Sequence, residues 1–279
     1  MTHETSWRPR LVALDIDGTL LAWSAGSGVT EMRVSPSVEA AVHRAQAAGA
    51  HVVLASGRSP YGMSSVADLL ELHKGSDDRL WVVASNGAVV FRYPPVEVVH
   101  EVTFDAAPAV SAILEHRPNA LVAVEERGIG YRVNSRFPEG ELQGESIITD
   151  VADLVARPVS RVIVRDPESS VEEFAELPRQ LGLHEIGYVV GWTAWLDLAP
   201  VGVSKALGLE HVAAELGVDR ADVLAIGDGR NDIEMLQWAG RGVAMGQSVD
   251  LVREAADAVT DTVDDDGAAT ELERYWPAT

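Results

Sequence analysis

The chain has no cysteine, which excludes disulfides, thiolate metal sites and a cysteine nucleophile. No stretch approaches the ~20 consecutive apolar residues of a membrane-spanning helix, so no span is expected. The opening residues, "MTHETSWRPR", lack the apolar core of a secretory signal, and a cytoplasmic location is expected. Basic residues are scarce: 22 Lys and Arg stand against 43 Asp and Glu, a net charge of −21. A field of that sign argues against nucleic acid and anionic membranes as partners. It also means that an anionic substrate needs a local positive site from metal, Lys or Arg. The eight histidines are scattered, with no paired ligand spacing. What is present in quantity is apolar: 47% of 279 residues, enough for one large globular domain or two modest ones.

The opening third alternates strand and helix patterns. Leu11–Ile16 is a short apolar strand. Ser35-Pro36 has the form of an N-cap followed by proline at the first helical position, with Val38, Ala41, Val42 and Ala45 at helical spacing and Gly49 as the stop. His51–Ser56 and Arg79–Ser85 read as further strands, with a helix over Pro60–Leu72 between them. This rhythm predicts a parallel sheet with right-handed crossovers. "AVVFRYPPVEVVHEVTF" then reads as two strands around Pro94-Pro95. Short strands and helices continue to Ala199, so a separate α+β module is expected over residues 88–190. From Val203 the α/β pattern resumes, with strands over Asp222–Asp228 and Gly240–Met245. The expected fold is therefore a Rossmann-like doubly wound parallel sheet, residues 1–87 and 191–279, interrupted by an inserted α+β cap.

Four polar clusters each follow an apolar strand: Asp15 with Asp17, Ser56-Gly57-Arg58, Ser85-Asn86-Gly87, and Asp228 with Asn231 and Asp232. In open parallel sheets ligands sit beyond the carboxyl ends of the strands, so parallel neighbours would bring all four to one edge. Asp15 and Asp17 repel each other one residue apart, and a cation makes such crowding tolerable. Asp15, Asp17 and Asp228 offer hard oxygen ligands suited to Mg²⁺. With that ion the natural guest is a phosphate. Backbone amides of Gly18 and Thr19, the Ser56 hydroxyl and the Lys205 ammonium are the candidates for holding it. Alone, each cluster also has a bland reading. Asp-x-Asp-Gly and Asn-Gly are common turns, Ser56 is an ordinary helix cap, and Lys205 is by default a solvated helix lysine. Their shared position after predicted strands joins them. Trp192 and Trp195 are expected in the core or at the domain interface, and Asp264-Asp265-Asp266 in a solvated turn before the last helix. No glycine-rich nucleotide fingerprint follows the first strand, and "GVSKALGL" lacks P-loop spacing.

"DIDGTL", "SGR", "SNGA", "GVSKALGL" and "IGDGRND", in that order, resemble the motifs of the haloacid dehalogenase superfamily, and more narrowly its Cof-type sugar-phosphatase branch (subfamily IIB) with the large C2B cap. The resemblance implies that Asp15 is a nucleophile forming an aspartyl-phosphate and Asp17 the acid and base. It implies Mg²⁺ held by the Asp15 carboxylate, the Asp17 carbonyl and Asp228, with Asp232 beside it. Ser56 would bond the phosphoryl group and Lys205 neutralise its charge. Asn231, Arg58 and Asn86 would support loop or substrate, with Gly57 beside them. Two departures stand out: the loop from Ala22 to Val34 is longer than common, and no cap residue is assigned to sugar recognition beyond the candidates Glu125, Tyr131 and Arg161. The expected partner is a small phosphorylated metabolite, and the expected state a monomer or homodimer. Three readings remain open on the sequence: a phosphomonoester hydrolase, a phosphomutase using the same intermediate, and a non-catalytic phosphate-binding module.

Overall fold

The computed structural model describes residues 7–23, 31–72, 79–126, 129–181, 187–190 and 195–278. Its elements run β1 (Leu11–Leu14), α1 (Pro36–Ala47), β2 (His51–Ala55), α2 (Pro60–Leu69), β3 (Leu80–Ala84), β4 (Val89–Tyr93), β5 (Glu97–Glu101), α3 (Ala107–His116), β6 (Leu121–Glu126), β7 (Gly130–Val133), β8 (Glu145–Ile148), α4 (Val151–Leu154), β9 (Val162–Arg165), α5 (Val171–Gln180), β10 (Gly187–Val190), β11 (Trp195–Ala199), α6 (Lys205–Leu216), β12 (Val223–Gly227), α7 (Ile233–Trp238), β13 (Arg241–Ala244), α8 (Asp250–Ala255), β14 (Ala258–Val259) and α9 (Gly267–Glu273). The chain divides into two compact units: Met1–Gly57, Met63–Val99 and Ser204–Thr279 form one, Arg58–Gly62 and His100–Val203 the other. Among the described residues no helix is long and apolar enough to cross a membrane.

The first unit is built on an eight-stranded sheet of order β14-β13-β12-β1-β2-β3-β4-β5. Pairing is parallel from β14 through β3, and β4 returns antiparallel to β3. All four residues of β1 are buried, because both faces of the sheet are covered. Leu11 and Ala13 share a core with Leu209, Val212, Met235, Leu236 and Val252 of α6, α7 and α8. α1 buries Val38, Ala41, Val42 and Ala45, the four positions at predicted helical spacing. Its Ser35 cap accepts from the Val38 amide at 3.2 Å, as the Ser-Pro pattern predicts.

The second unit holds a six-stranded sheet of order β10-β11-β9-β6-β7-β8. One face packs on α3, α4 and α5 through Val110, Ile113, Leu154, Phe174 and Leu177. The other carries a smaller cluster of Ala123, Tyr131, Val133, Phe137 and Ile163, with Trp195 against it. Trp195 therefore packs as expected, and Trp192 lies outside the described residues.

The expected module limits of 88 and 190 are corrected at both ends. β4 and β5 extend the sheet of the first unit, and the long segment of the second unit starts at His100. β11 pairs with β9 and β10 with β11, so it continues to Val203. The local pattern of short strands is the same on either side of these limits. Only the partner strand tells which sheet each one joins.

Candidate active site

The register aligns the strand ends. Leu14 pairs with Ile226 on one side and Leu54 on the other, so Asp15, Asp228 and Ser56 leave the sheet at one edge. From β1 the chain winds outward to β2 and β3, then returns to β12 on the opposite side of β1. Such a switch point opens a crevice at the carboxyl ends of the strands. Asp15 and Asp228 stand on its two sides.

Oxygens of Asp15, Asp228 and Asp232 all lie within 4.8 Å of one another. Lys205, the first residue of α6 and wholly buried, donates to Asp15 Oδ1 and to Asp232 Oδ1, each at 2.5 Å. A lysine at that depth is not a solvated helix lysine. Burial opposes its charge, but Asp15 and Asp232 outweigh that and hold the ammonium above the ordinary lysine range. Asp15 is driven well above the usual carboxylate range, by burial first and then by Asp232, with Lys205 opposing. Asp228 is pushed up to about 6, again by burial and by Asp232. Three carboxylates against one ammonium leave negative charge in excess. The donors are hard oxygens, and a divalent cation fits that set.

Each group is held from behind. Thr19 Oγ1 donates to Asp15 Oδ2 at 3.2 Å. Asp232 Oδ2 accepts the amides of Asp228 and Gly229 at 3.0 and 2.8 Å, which fastens the loop carrying Asp228. Asn231 donates to Asn86 Oδ1 at 2.9 Å, tying that loop to the turn after β3. In this turn Ser85, Asn86 and Gly87 have φ of 50°, 54° and 98°. A Cβ on Gly87 would lie 1.9 Å from the Ser204 carbonyl oxygen, so glycine lets the turn press on the residue that caps α6. The buried Ser56 receives its own hold from β3, its amide donating to Val83 O at 2.9 Å while its carbonyl accepts from Asn86 N at 3.1 Å.

One expectation is overturned. The amides of Gly18 and Thr19 do not point outward for a phosphate. Gly18 N donates to Leu21 O at 2.8 Å and Thr19 N to Ile16 O at 3.2 Å, closing the turn after Asp17. A tight turn consumes its own amides first. Thr19 instead serves through its hydroxyl on Asp15.

Two residues escaped the sequence reading. Gln247 Nε2 donates to Gly18 O at 2.6 Å and reaches Asp228 Oδ2 at 3.5 Å. The Trp23 indole N–H donates to the Asp228 carboxylate. Gln247 had a signal, since it follows a predicted strand as the other clusters do. Trp23, in an irregular loop, had none. Arg58 falls by its contacts into the second unit. There Arg161 donates to both oxygens of Asp197 at 2.9 and 3.0 Å. Burial disfavours its charge, but Asp197, Tyr131 and Glu125 together raise its pKa, so the three cap candidates form one cluster around Asp197.

A doubly wound sheet with aspartates at its switch point and a lysine on the helix beside them defines the class: a Rossmann-like α/β core with an acidic, cation-ready centre. The chain belongs to the haloacid dehalogenase-like hydrolase family, whose profile matches residues 12–272. It is 30% identical to the phosphoglycolate phosphatase of Natronomonas pharaonis over 266 residues, covering 94% of this chain and 96% of that one. It is 26% identical to the 5-amino-6-(5-phospho-D-ribitylamino)uracil phosphatase YitU of Bacillus subtilis, covering 96% and 98%. Among solved structures, the phosphatase BT1666 of Bacteroides thetaiotaomicron superposes with a TM-score of 0.75 at 28% identity, covering 100% of this chain and 99% of that one.

Proposed function

We propose that this chain is a Mg²⁺-dependent phosphomonoester hydrolase that acts on a small phosphorylated metabolite through an aspartyl-phosphate on Asp15. The observation that carries the reading is the meeting of Asp15, Asp228 and Asp232 with the buried Lys205 ammonium, 2.5 Å from Asp15. Lys205 and Thr19 each take one oxygen of Asp15 and fix the carboxylate for attack in line with the leaving oxygen. The Lys205 charge offsets part of the negative charge on the transferring group. Asp17, two residues further on, gives a proton to the leaving alkoxide and then takes one from the water that cleaves the acyl phosphate. The Asp15 carboxylate, the Asp17 carbonyl and Asp228, with Asp232 beside them, would hold Mg²⁺, which would supply Lewis-acid polarisation of the phosphoryl oxygens. Two of the relatives carry names for phosphatases of small phosphate esters, which supports the metabolite class.

The test is a broad panel of phosphate esters assayed for free phosphate with Mg²⁺ or with EDTA. We expect release with the metal alone, and none from Asp15→Asn. Isomerised sugar phosphate without free phosphate would turn the reading to a mutase. Mg²⁺ binding with no turnover on any ester would turn it to a binding module.

A further inference from the structure

Lys205 does not serve the three clustered carboxylates equally. Its ammonium is divided between Asp15 and Asp232, and among the described residues Asp228 makes no ion pair. What Asp228 has instead are two neutral donors from distant parts of the chain, the Trp23 indole N–H and the Gln247 side-chain amide. These are built into their surroundings. Gln247 spends the rest of its polar capacity on structure: Nε2 donates to Gly18 O at 2.6 Å, and Oε1 accepts the Val263 amide at 3.0 Å. Trp23 reaches Asp228 across Gly18. A Cβ there would lie 2.1 Å from Asp228 Oδ2 and 2.6 Å from Trp23 Nε1, so the contact exists only over a glycine. Trp23 is meanwhile 42% exposed, so its ring is not placed there by burial.

A neutral donor orients a carboxylate without cancelling its charge, whereas a directly paired lysine cancels it in part. We infer that Trp23 and Gln247 are positioning residues that hold Asp228 in its ligating orientation for a divalent cation without themselves cancelling its charge. This rests on the metal part of the proposed function. Outer partners of metal ligands typically set affinity by about 10–100-fold, and that is the scale of effect expected here.

The experiment is titration of the metal-free protein with Mg²⁺ by calorimetry and with Mn²⁺ by electron paramagnetic resonance. Wild type is compared with Trp23→Phe, Trp23→His and Gln247→Leu, and each is melted in EDTA. Trp23→Phe keeps an aromatic ring but loses the N–H. We expect it to bind both ions about tenfold more weakly, with an unchanged melting temperature in EDTA and with affinity partly restored in Trp23→His, which can donate again. We also expect tryptophan emission to change on Mg²⁺ addition in wild type, and the change to be lost in Trp23→Phe. Gln247→Leu should weaken binding too, at some cost in stability because Val263 loses its acceptor. Wild-type affinity in Trp23→Phe and Gln247→Leu overturns the inference and leaves the proposed function standing. Absence of saturable divalent binding in wild type overturns the metal reading and the inference with it.

Discussion

Two carboxylates, Asp15 and Asp232, converge on one wholly buried ammonium. Lys205→Met would keep the volume and remove the charge, leaving both acids buried without a positive partner. Breaking a buried ion pair on one side costs about 3–5 kcal/mol, and we expect a loss on that scale in urea unfolding monitored in EDTA. Turnover should vanish with it. A variant with the wild-type unfolding midpoint would show that Lys205 is not what balances the cluster. Gly18 is critical for a different reason. Its φ of +86° is unfavourable for any residue with a Cβ, and that atom would overlap Asp228. Gly18→Ala should keep its far-ultraviolet circular dichroism yet bind Mg²⁺ more weakly than wild type. Equal affinity would mean that the loop relaxes without moving Asp228.

The elements that place these side chains are short and interlocked. α6 begins at Lys205 because Ser204 caps it, accepting the Leu207 amide at 3.3 Å. The turn after β3 packs on that cap through Gly87. Two substitutions on either side of this contact separate capping from placement. Ser204→Ala removes only the cap, and we expect about 1 kcal/mol of lost stability with turnover largely retained. Gly87→Ala puts a methyl 1.9 Å from the Ser204 carbonyl oxygen, so the start of α6 must shift and Lys205 with it. There kcat should fall by far more than stability does. Parallel losses in both variants would argue that the turn supports the fold alone.

The whole molecule carries a net charge of −21, and its acidic centre adds to that burden. Without a cation, Asp15 is raised well above the usual carboxylate range and Asp228 to about 6. The folded state therefore binds more protons than the unfolded chain above about pH 4, up to about pH 6 in the case of Asp228, and the contribution of these groups to stability falls as pH rises through their raised pKa values. A divalent cation replaces the protons. Mg²⁺ should therefore raise the melting temperature more at pH 7.5 than at pH 5, where protons compete for the same oxygens. Scanning calorimetry at the two pH values, with and without EDTA, checks this. An equal Mg²⁺ effect at both would place the bound ion away from Asp15 and Asp228.

Much of this arrangement was legible in the order of residues. Apolar strands of four to five residues, each ended by a polar cluster, predict a doubly wound sheet and name Asp15, Ser56 and Asp228, because burial on both faces writes itself as a continuous apolar run. The Ser-Pro cap and the helical spacing of Val38, Ala41, Val42 and Ala45 are equally local, and they agree with α1. Tertiary structure alone decided the rest. Which sheet receives β4, β5, β10 and β11 depends on pairing between segments far apart in the chain. That the Gly18 and Thr19 amides close their own turn depends on the path taken after Asp17. That Trp23 and Gln247 meet at Asp228 depends on loops whose composition carries no periodicity. Periodicity records how a segment meets water and core, and it holds no record of which distant donor a carboxylate will find.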